Sequence, residues 1–201
     1  METTIRYRTS VRKTLTADDW ARAALVALTE GGVPAVAVEP LAARLGATKG
    51  SFYWHFRSRD ALLAAALQLW ERRETDEVIA TVDAEPDPAA RMRALLLLAL
   101  GSAGRRRTDA VELGLQAHAD HPLVAPVLER VTRRRLDYLA ALFAELGFPP
   151  AEARSRGLVA YTAYLGHAQL AHATPALAPR GEALRACADV VVEALTRPRA
   201  L

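Results

Sequence analysis

The 201-residue sequence contains a single cysteine, Cys187. One thiol cannot close an internal disulfide, so the fold must be held by packing, and a reducing, cytoplasmic setting is expected. Cys187 itself reads as a small core filler. Long apolar runs are also missing. None is longer than residues 94–100, far short of the ~18 residues of a membrane span. No hydrophobic stretch follows the basic residues near the start, as a secretory signal would require. No membrane partner is therefore expected. Nor is there a glycine-rich phosphate loop or a nucleophile motif, so neither an enzyme nor a cofactor is expected. One cluster, His118-Ala119-Asp120-His121, has the look of a metal site, but it crosses a helix end and lacks a further nearby ligand. His167 and His172 are five apart, ~140° around a helix, and do not share a face. No metal is expected, and these histidines read as hydrogen-bonded core or surface residues.

What is present describes a globular chain: 51% of residues are apolar and 24% charged. The formal net charge of +3 is unevenly placed. Residues 1–60 hold nine Lys or Arg against six Asp or Glu, and the remainder holds seventeen of each. A basic module on a neutral body suits a partner made of phosphates, whose neutralisation supplies most non-specific DNA affinity.

Residues 38–56, VEPLAARLGATKGSFYWHF, concentrate the information. Leu41, Ala42 and Leu45 mark one apolar face of a short helix, with Pro40 tolerated in its first turn. Gly46 ends that helix, because a residue without Cβ takes the left-handed cap conformation at little cost. Thr48 is placed to cap the next helix on the backbone N–H of Gly50 or Ser51. Phe52 and Phe56, four apart, face inward, leaving Lys49, Ser51, Tyr53, Trp54 and His55 on the other faces.

This run, L-A-x-x-L-G-x-T-K-G-S-F-Y-W-H-F from Leu41 followed by S-R-D-A-L-L from Ser58, closely resembles the helix-turn-helix of the TetR family of transcriptional regulators (TetR/AcrR type). The resemblance implies an all-α fold. A three-helix DNA-binding domain with an N-terminal arm would span residues 1–58, and a larger helical effector-binding and dimerisation domain residues 59–201. It assigns Lys49, Tyr53, His55 and Arg59 to phosphates, Arg59 standing where the family commonly has a lysine. Thr48, Ser51 and Trp54 fall to base edges or thymine methyls, with Gly50 between them.

Along the rest of the chain, Arg6, Arg8, Arg12 and Lys13 suit an arm that is solvated when free and reaches DNA when bound. Thr16 and Asp19 resemble a capping box opening a helix to about residue 30, with Trp20, Ala24, Ala27 and Leu28 inside. Further helices are expected over about 59–81, 87–103 (apolar nearly all round, ended by Gly104), 109–119, 123–146, 151–173 and 182–196. Arg105-Arg106-Arg107 reads as a solvated loop. Arg133-Arg134-Arg135 point different ways around one helix, which argues against a single anion site.

By resemblance, the last two helices (151–173 and 182–196) form a homodimer, so that two recognition helices read a palindromic operator in double-stranded DNA. A small-molecule effector would bind among the body helices. The residues proposed to line its site are polar or aromatic groups on apolar helices: Trp70, Met92, Gln116, His118, Tyr161, Tyr164, His167 and Gln169. The sparsity of charge on those faces points to a small, largely apolar effector, whose binding releases a repressor from DNA. Alternatives are a ligand-independent DNA-binding protein, an activator, or a ligand-binding module or enzyme with a degenerate DNA head.

Overall fold

The computed structural model describes residues 15–102 and 108–197, and every regular element among them is helical. The expected N-terminal arm and the Arg105–Arg107 loop fall outside the described residues. Helix α1 (Ala17–Gly31) opens with the expected capping box. Thr16 Oγ1 accepts the Asp19 N–H at 3.2 Å, and the Asp19 carboxylate accepts the Thr16 N–H at 2.9 Å. These bonds, the backbone one first and helped by Arg22, hold the Asp19 carboxyl well below its ordinary range. A single 3-10 turn (Val33–Ala35) leads to α2 (Val38–Arg44) and the short α3 (Lys49–Tyr53).

Next comes a connecting helix, capped by Ser58 Oγ on the Ala61 N–H at 3.1 Å. Its first part is α4 (Arg59–Glu71) and its second α5 (Glu77–Val82), but between them residues Arg72–Asp76 form a π turn. Sequence periodicity predicts an unbroken helix here. The π turn inserts one extra residue per turn, which rotates Thr75 inward, where it is buried.

The body contains α6 (Pro88–Ser102), α7 (Thr108–Gln116), α8 (Ala125–Glu145), α9 (Pro150–Ala173) and α10 (Gly181–Thr196). Helix α7 stops before the expected residue 119. His118 turns its Nδ1 to the Gly114 carbonyl at 2.9 Å, and residues 117–124 run as turns into α8. Helix α9 lies along α8, and Gly157 permits the approach: a Cβ there would come within 3.2 Å of the Ala140 nitrogen. Helix α10 packs on α6, tied by Arg93 to Asp189.

Two apolar cores result. The first takes Trp20, Leu28, Leu41, Phe52, Phe56, Leu63 and Trp70 from the N-terminal part of the chain and continues through Val111 and Leu115 of α7, Val124 just before α8, and Val131 of α8. The second joins Met92 and Leu96 to Leu139, Leu142 and Phe143, and to Ala160, Tyr161 and Leu195. Helix α6, expected to be buried on most faces, buries Met92, Leu96 and Leu100 but leaves Leu98 exposed. Its remaining apolar side borders a cavity between the helices.

Candidate nucleic-acid interface and effector cavity

Helix α2 ends at Gly46, whose φ of 62° lies in the region that L side chains avoid. The Ala47 N–H then bonds back to the Ala42 carbonyl at 2.8 Å, turning the chain sharply into α3. Thr48 Oγ1 accepts the Ser51 N–H at 3.2 Å, which satisfies one of the free donors at the α3 N-terminus. Phe52 is fully buried, edge-on to Trp20 at 5.4 Å and stacked with Phe56 at 5.7 Å. These contacts anchor the inner side of the segment.

Its outer side is open. Tyr53 and His55 are exposed, and Trp54 is 88% exposed, an unusual position for a large apolar ring. Trp54 and His55 do not extend α3, as their grouping on one helix had suggested. The His55 and Phe56 N–H groups both donate to the Phe52 carbonyl at 2.9 Å, and this tight turn swings Phe56 into the core. Thr48 and Gly50 are also exposed, and Ser51 is half-buried. Lys49 Nζ pairs with Glu39 Oε1 at 2.8 Å; this bond raises the Lys49 pKa and lowers that of Glu39.

Arg59 is directed elsewhere. Its Nε donates to the Val36 carbonyl at 2.6 Å and its Nη2 to the Val33 carbonyl at 2.5 Å, with Nη1 3.6 Å from Asp60. It thus ties the start of α4 to the connection that leads into α2.

A cavity of about 250 Å³ lies beside the π turn. Glu74, Thr75, Val78 and Ile79 of the connecting helix form one wall, and residues 95–99 of α6 with Gly101 form another. Arg135, Tyr138 and Leu139 of α8 and Ala160, Tyr161 and Tyr164 of α9 complete it. Arg135 is the most connected group: its Nε donates to Thr75 Oγ1 at 3.0 Å, its Nη1 to Glu112 Oε2 at 2.8 Å, and its Nη2 to the Glu74 carbonyl at 3.0 Å. The guanidinium also sits 5.4 Å from the Trp70 ring centroid and 5.9 Å from that of Tyr164. Burial disfavours its charge, but Glu112, itself buried, more than offsets this, so the Arg135 pKa lies above its ordinary value. Burial pushes the Tyr138 and Tyr161 phenols up; Tyr138 donates to Asp83 Oδ1 at 2.6 Å.

Of the eight residues proposed for an effector site, Tyr161 and Tyr164 line this cavity. Trp70 is buried in the first core and Met92 in the second. Gln116 and Gln169 are exposed. The His118 ring packs against Gly32, at the end of α1. His167 is half-buried, which lowers its pKa. Glu74, Thr75 and Arg135 are lining residues that sequence reasoning did not select. Arg135 had a legible signal, a charge in register with Val131, Leu139 and Leu142 on the apolar stripe of α8. Its neighbours diverge as expected: Arg133 pairs with Glu129, and Arg134 with Asp76. Among the described residues, no group of three or more His, Cys, Asp or Glu could hold a metal, and no helix is long and apolar enough to cross a membrane.

Comparison with known proteins agrees with this architecture. Residues 22–72 match the family model described as bacterial regulatory proteins, tetR family. No curated protein matches the chain. Among solved structures, a transcriptional regulator from Rhodococcus sp. Rha1 is 26% identical, with a TM-score of 0.73 over 90% of this chain and 96% of that one. A putative transcriptional regulator from Pseudomonas aeruginosa PAO1 is 16% identical, with a TM-score of 0.76 over 94% and 96%. The transcriptional regulator FadR from Bacillus subtilis, solved in complex with stearoyl-CoA, is 13% identical, with a TM-score of 0.67 over 90% and 98%. Residues 22–72 thus match the tetR family of bacterial regulatory proteins, and the all-helical fold that carries them is shared along nearly the whole chain with solved transcriptional regulators.

Proposed function

We propose that the chain is a sequence-specific DNA-binding regulator that acts as a homodimer and is released from a palindromic operator by a small, largely apolar effector. The observation that carries this reading is the α3 segment, pinned from beneath by Phe52 and Phe56 while Tyr53, Trp54 and His55 are exposed. A buried-core role would not leave Trp54 88% exposed. Thr48, Ser51 and Trp54 serve base edges and thymine methyls; Lys49, Tyr53 and His55 serve phosphates, and the Gly50 backbone approaches closely. Lys49 exchanges Glu39 for a phosphate on binding. Arg59 acts one step back, by fixing the entry to α2.

One such head reads too few bases, and apolar side chains remain open on the last two helices: Leu158, Val159 and Leu170 of α9 and Val190 of α10. A two-fold dimer through these faces presents two α3 segments to successive major grooves, ~34–36 Å apart. The effector site is the cavity beside the π turn. At about 250 Å³ it lies below the ~300–1,000 Å³ of typical drug-sized sites, so its ligand is smaller than the acyl-CoA bound by the Bacillus subtilis neighbour. An effector with higher affinity for one head spacing weakens operator binding by that difference.

The test is selection of bound sequences from a random duplex pool, with a Lys49→Ala/Tyr53→Ala double variant run in parallel. Enrichment of a palindrome by the wild type alone supports the reading. Absence of any enrichment at low salt rejects it.

A further inference from the structure

The cavity wall contains one acidic group whose carboxyl has no hydrogen-bond partner among the described residues. Glu74 is half-buried in the lining, and its carboxyl accepts no hydrogen bond from any described residue. Neighbouring polar groups are engaged. Arg135 holds Thr75, Glu112 and the Glu74 carbonyl; Tyr138 holds Asp83; and the Tyr161 hydroxyl lies 3.3 Å from Thr132 Oγ1. The charges do not balance either. Glu112 already neutralises Arg135, so an ionised Glu74 leaves two carboxylates facing one guanidinium. Among the described residues, the further charges that act on Glu74, Arg73 and Glu77, act in opposite directions. Burial raises the Glu74 pKa despite the attraction of Arg135, as expected of an undercompensated acid.

An anionic effector would have to displace Glu112 from Arg135 or sit beside two carboxylates. A cation has neither difficulty, and the Tyr161 ring in the same wall offers it a π face. We propose that the effector carries a protonated amine on a small apolar body, the ammonium pairing with Glu74 and the body lying against Ile79, Leu95, Leu96 and Leu139. This rests on the effector-cavity reading above.

The same residue supplies the route to the head. Glu74 lies within the π turn, and Arg135 grips that turn through the Glu74 carbonyl and the Thr75 hydroxyl. An ammonium drawn to the Glu74 side chain brings like charge towards the guanidinium and competes with its hold. The joint between α4, which carries the head, and α5 is therefore where the ligand acts.

Three probes of similar size separate the charge classes at pH 7: 2-phenylethylamine, 2-phenylethanol and phenylacetate. Each is titrated calorimetrically into the full-length protein, wild type and three variants, Glu74→Gln, Glu74→Asp and Ala160→Phe, the last filling the cavity from α9. The amine is expected to bind about tenfold tighter than the alcohol, and phenylacetate weakest. Glu74→Gln should reduce the amine to the level of the alcohol without changing alcohol binding, while Glu74→Asp, which keeps the charge, retains the preference. Equal binding of amine and alcohol, tighter binding of phenylacetate, or a preference that survives Glu74→Gln overturns the charge assignment and leaves the cavity reading standing. Binding unaffected by Ala160→Phe, or no binding of any probe, rejects the cavity reading and this proposal with it.

Discussion

Replacing Arg59 by lysine distinguishes a phosphate contact from an architectural tie. Both side chains carry one positive charge, but only the guanidinium has donors spaced to reach the Val36 and Val33 carbonyls together. A hydrogen bond with one charged partner contributes ~1.5–3 kcal/mol. The Arg59 side chain is 36% exposed and the lysine can recover one of the two bonds, so a net loss of about 1–2 kcal/mol is expected. For a chain of this length each kcal/mol shifts Tm by ~2–4 °C, so thermal unfolding at fixed protein concentration should show a fall of roughly 2–8 °C. Affinity for a selected operator is then measured against salt well below Tm, for Arg59→Lys and for the uncharged Arg59→Met. A residue that does not touch phosphate leaves the slope of log K against log salt unchanged in both. A phosphate contact predicts the opposite: Arg59→Lys keeps full stability, and Arg59→Met flattens the slope by ~0.9 per protomer. That pattern would refute the architectural reading.

The remaining predictions concern the head and the connecting helix. Thr48→Ala removes the cap of a five-residue helix, which costs ~1 kcal/mol locally and should weaken operator binding more than it lowers Tm. Trp54 is 88% exposed in the free protein, so Trp54→Ala should move unfolding by less than ~0.5 kcal/mol while operator affinity falls, as read by fluorescence anisotropy. Glu112→Gln leaves Arg135 buried without its counter-charge and should cost on the order of 3–5 kcal/mol in urea unfolding; a near-neutral result would show that the pair does not hold α7 to α8. Glu71 and Glu74 should show opposite pH dependence. The Arg130 hydrogen bonds lower the Glu71 pKa below 4.5, so its contribution is present above that pH and lost as acid protonates the folded carboxylate. Burial raises the Glu74 pKa above 4.5, so its ionised form reduces stability at neutral pH, and that penalty disappears in acid. Glu74→Gln should therefore raise Tm at pH 7 but not at pH ~4, and Glu71→Gln should lower it at pH 7.

The head was legible because its signals are local. A capping box needs only Thr16 and Asp19, and a turn between helices needs a glycine at the residue that takes positive φ, here Gly46. Phe52 and Phe56 could be assigned inward from spacing alone. The point at which α3 stops was not legible, because the turn at residues 54–55 depends on where the first core needs the Phe56 ring. The cavity was harder still. Its polar wall depends on a π turn, and counting residues at 3.6 per turn across Arg72–Asp76 gives Thr75 and Glu74 the wrong orientation. Selecting aromatic and polar groups on apolar helices found Tyr161 and Tyr164, but also Met92 and Trp70, which the two cores absorb. Helical periodicity shows which side of a helix faces inward. It does not show whether that side meets another helix or a void.

The position of the π turn links these observations. Above it, Trp70 belongs to the first core, packed with the head residues and with Val131 of α8. Below it, Val78 and Ile79 face the cavity. Helix α8 holds the joint from one side along its length: Arg130 on Glu71, Arg134 on Asp76, and Arg135 on Thr75 and the Glu74 carbonyl. The Arg130 and Arg134 contacts are open to solvent at the arginine and so are individually weak. The Arg135 contacts are largely buried, and the Glu74 carbonyl they satisfy belongs to the irregular segment of the helix. A π turn is a local defect that a helix can lose or move at modest cost if the groups holding it are withdrawn. Arg135 is such a holder, it lines the cavity, and the adjoining α4 carries the head. A ligand there need not push the head across the molecule. On the proposed effector reading, it need only change which groups satisfy one turn of backbone for the connecting helix to give α4 a new direction.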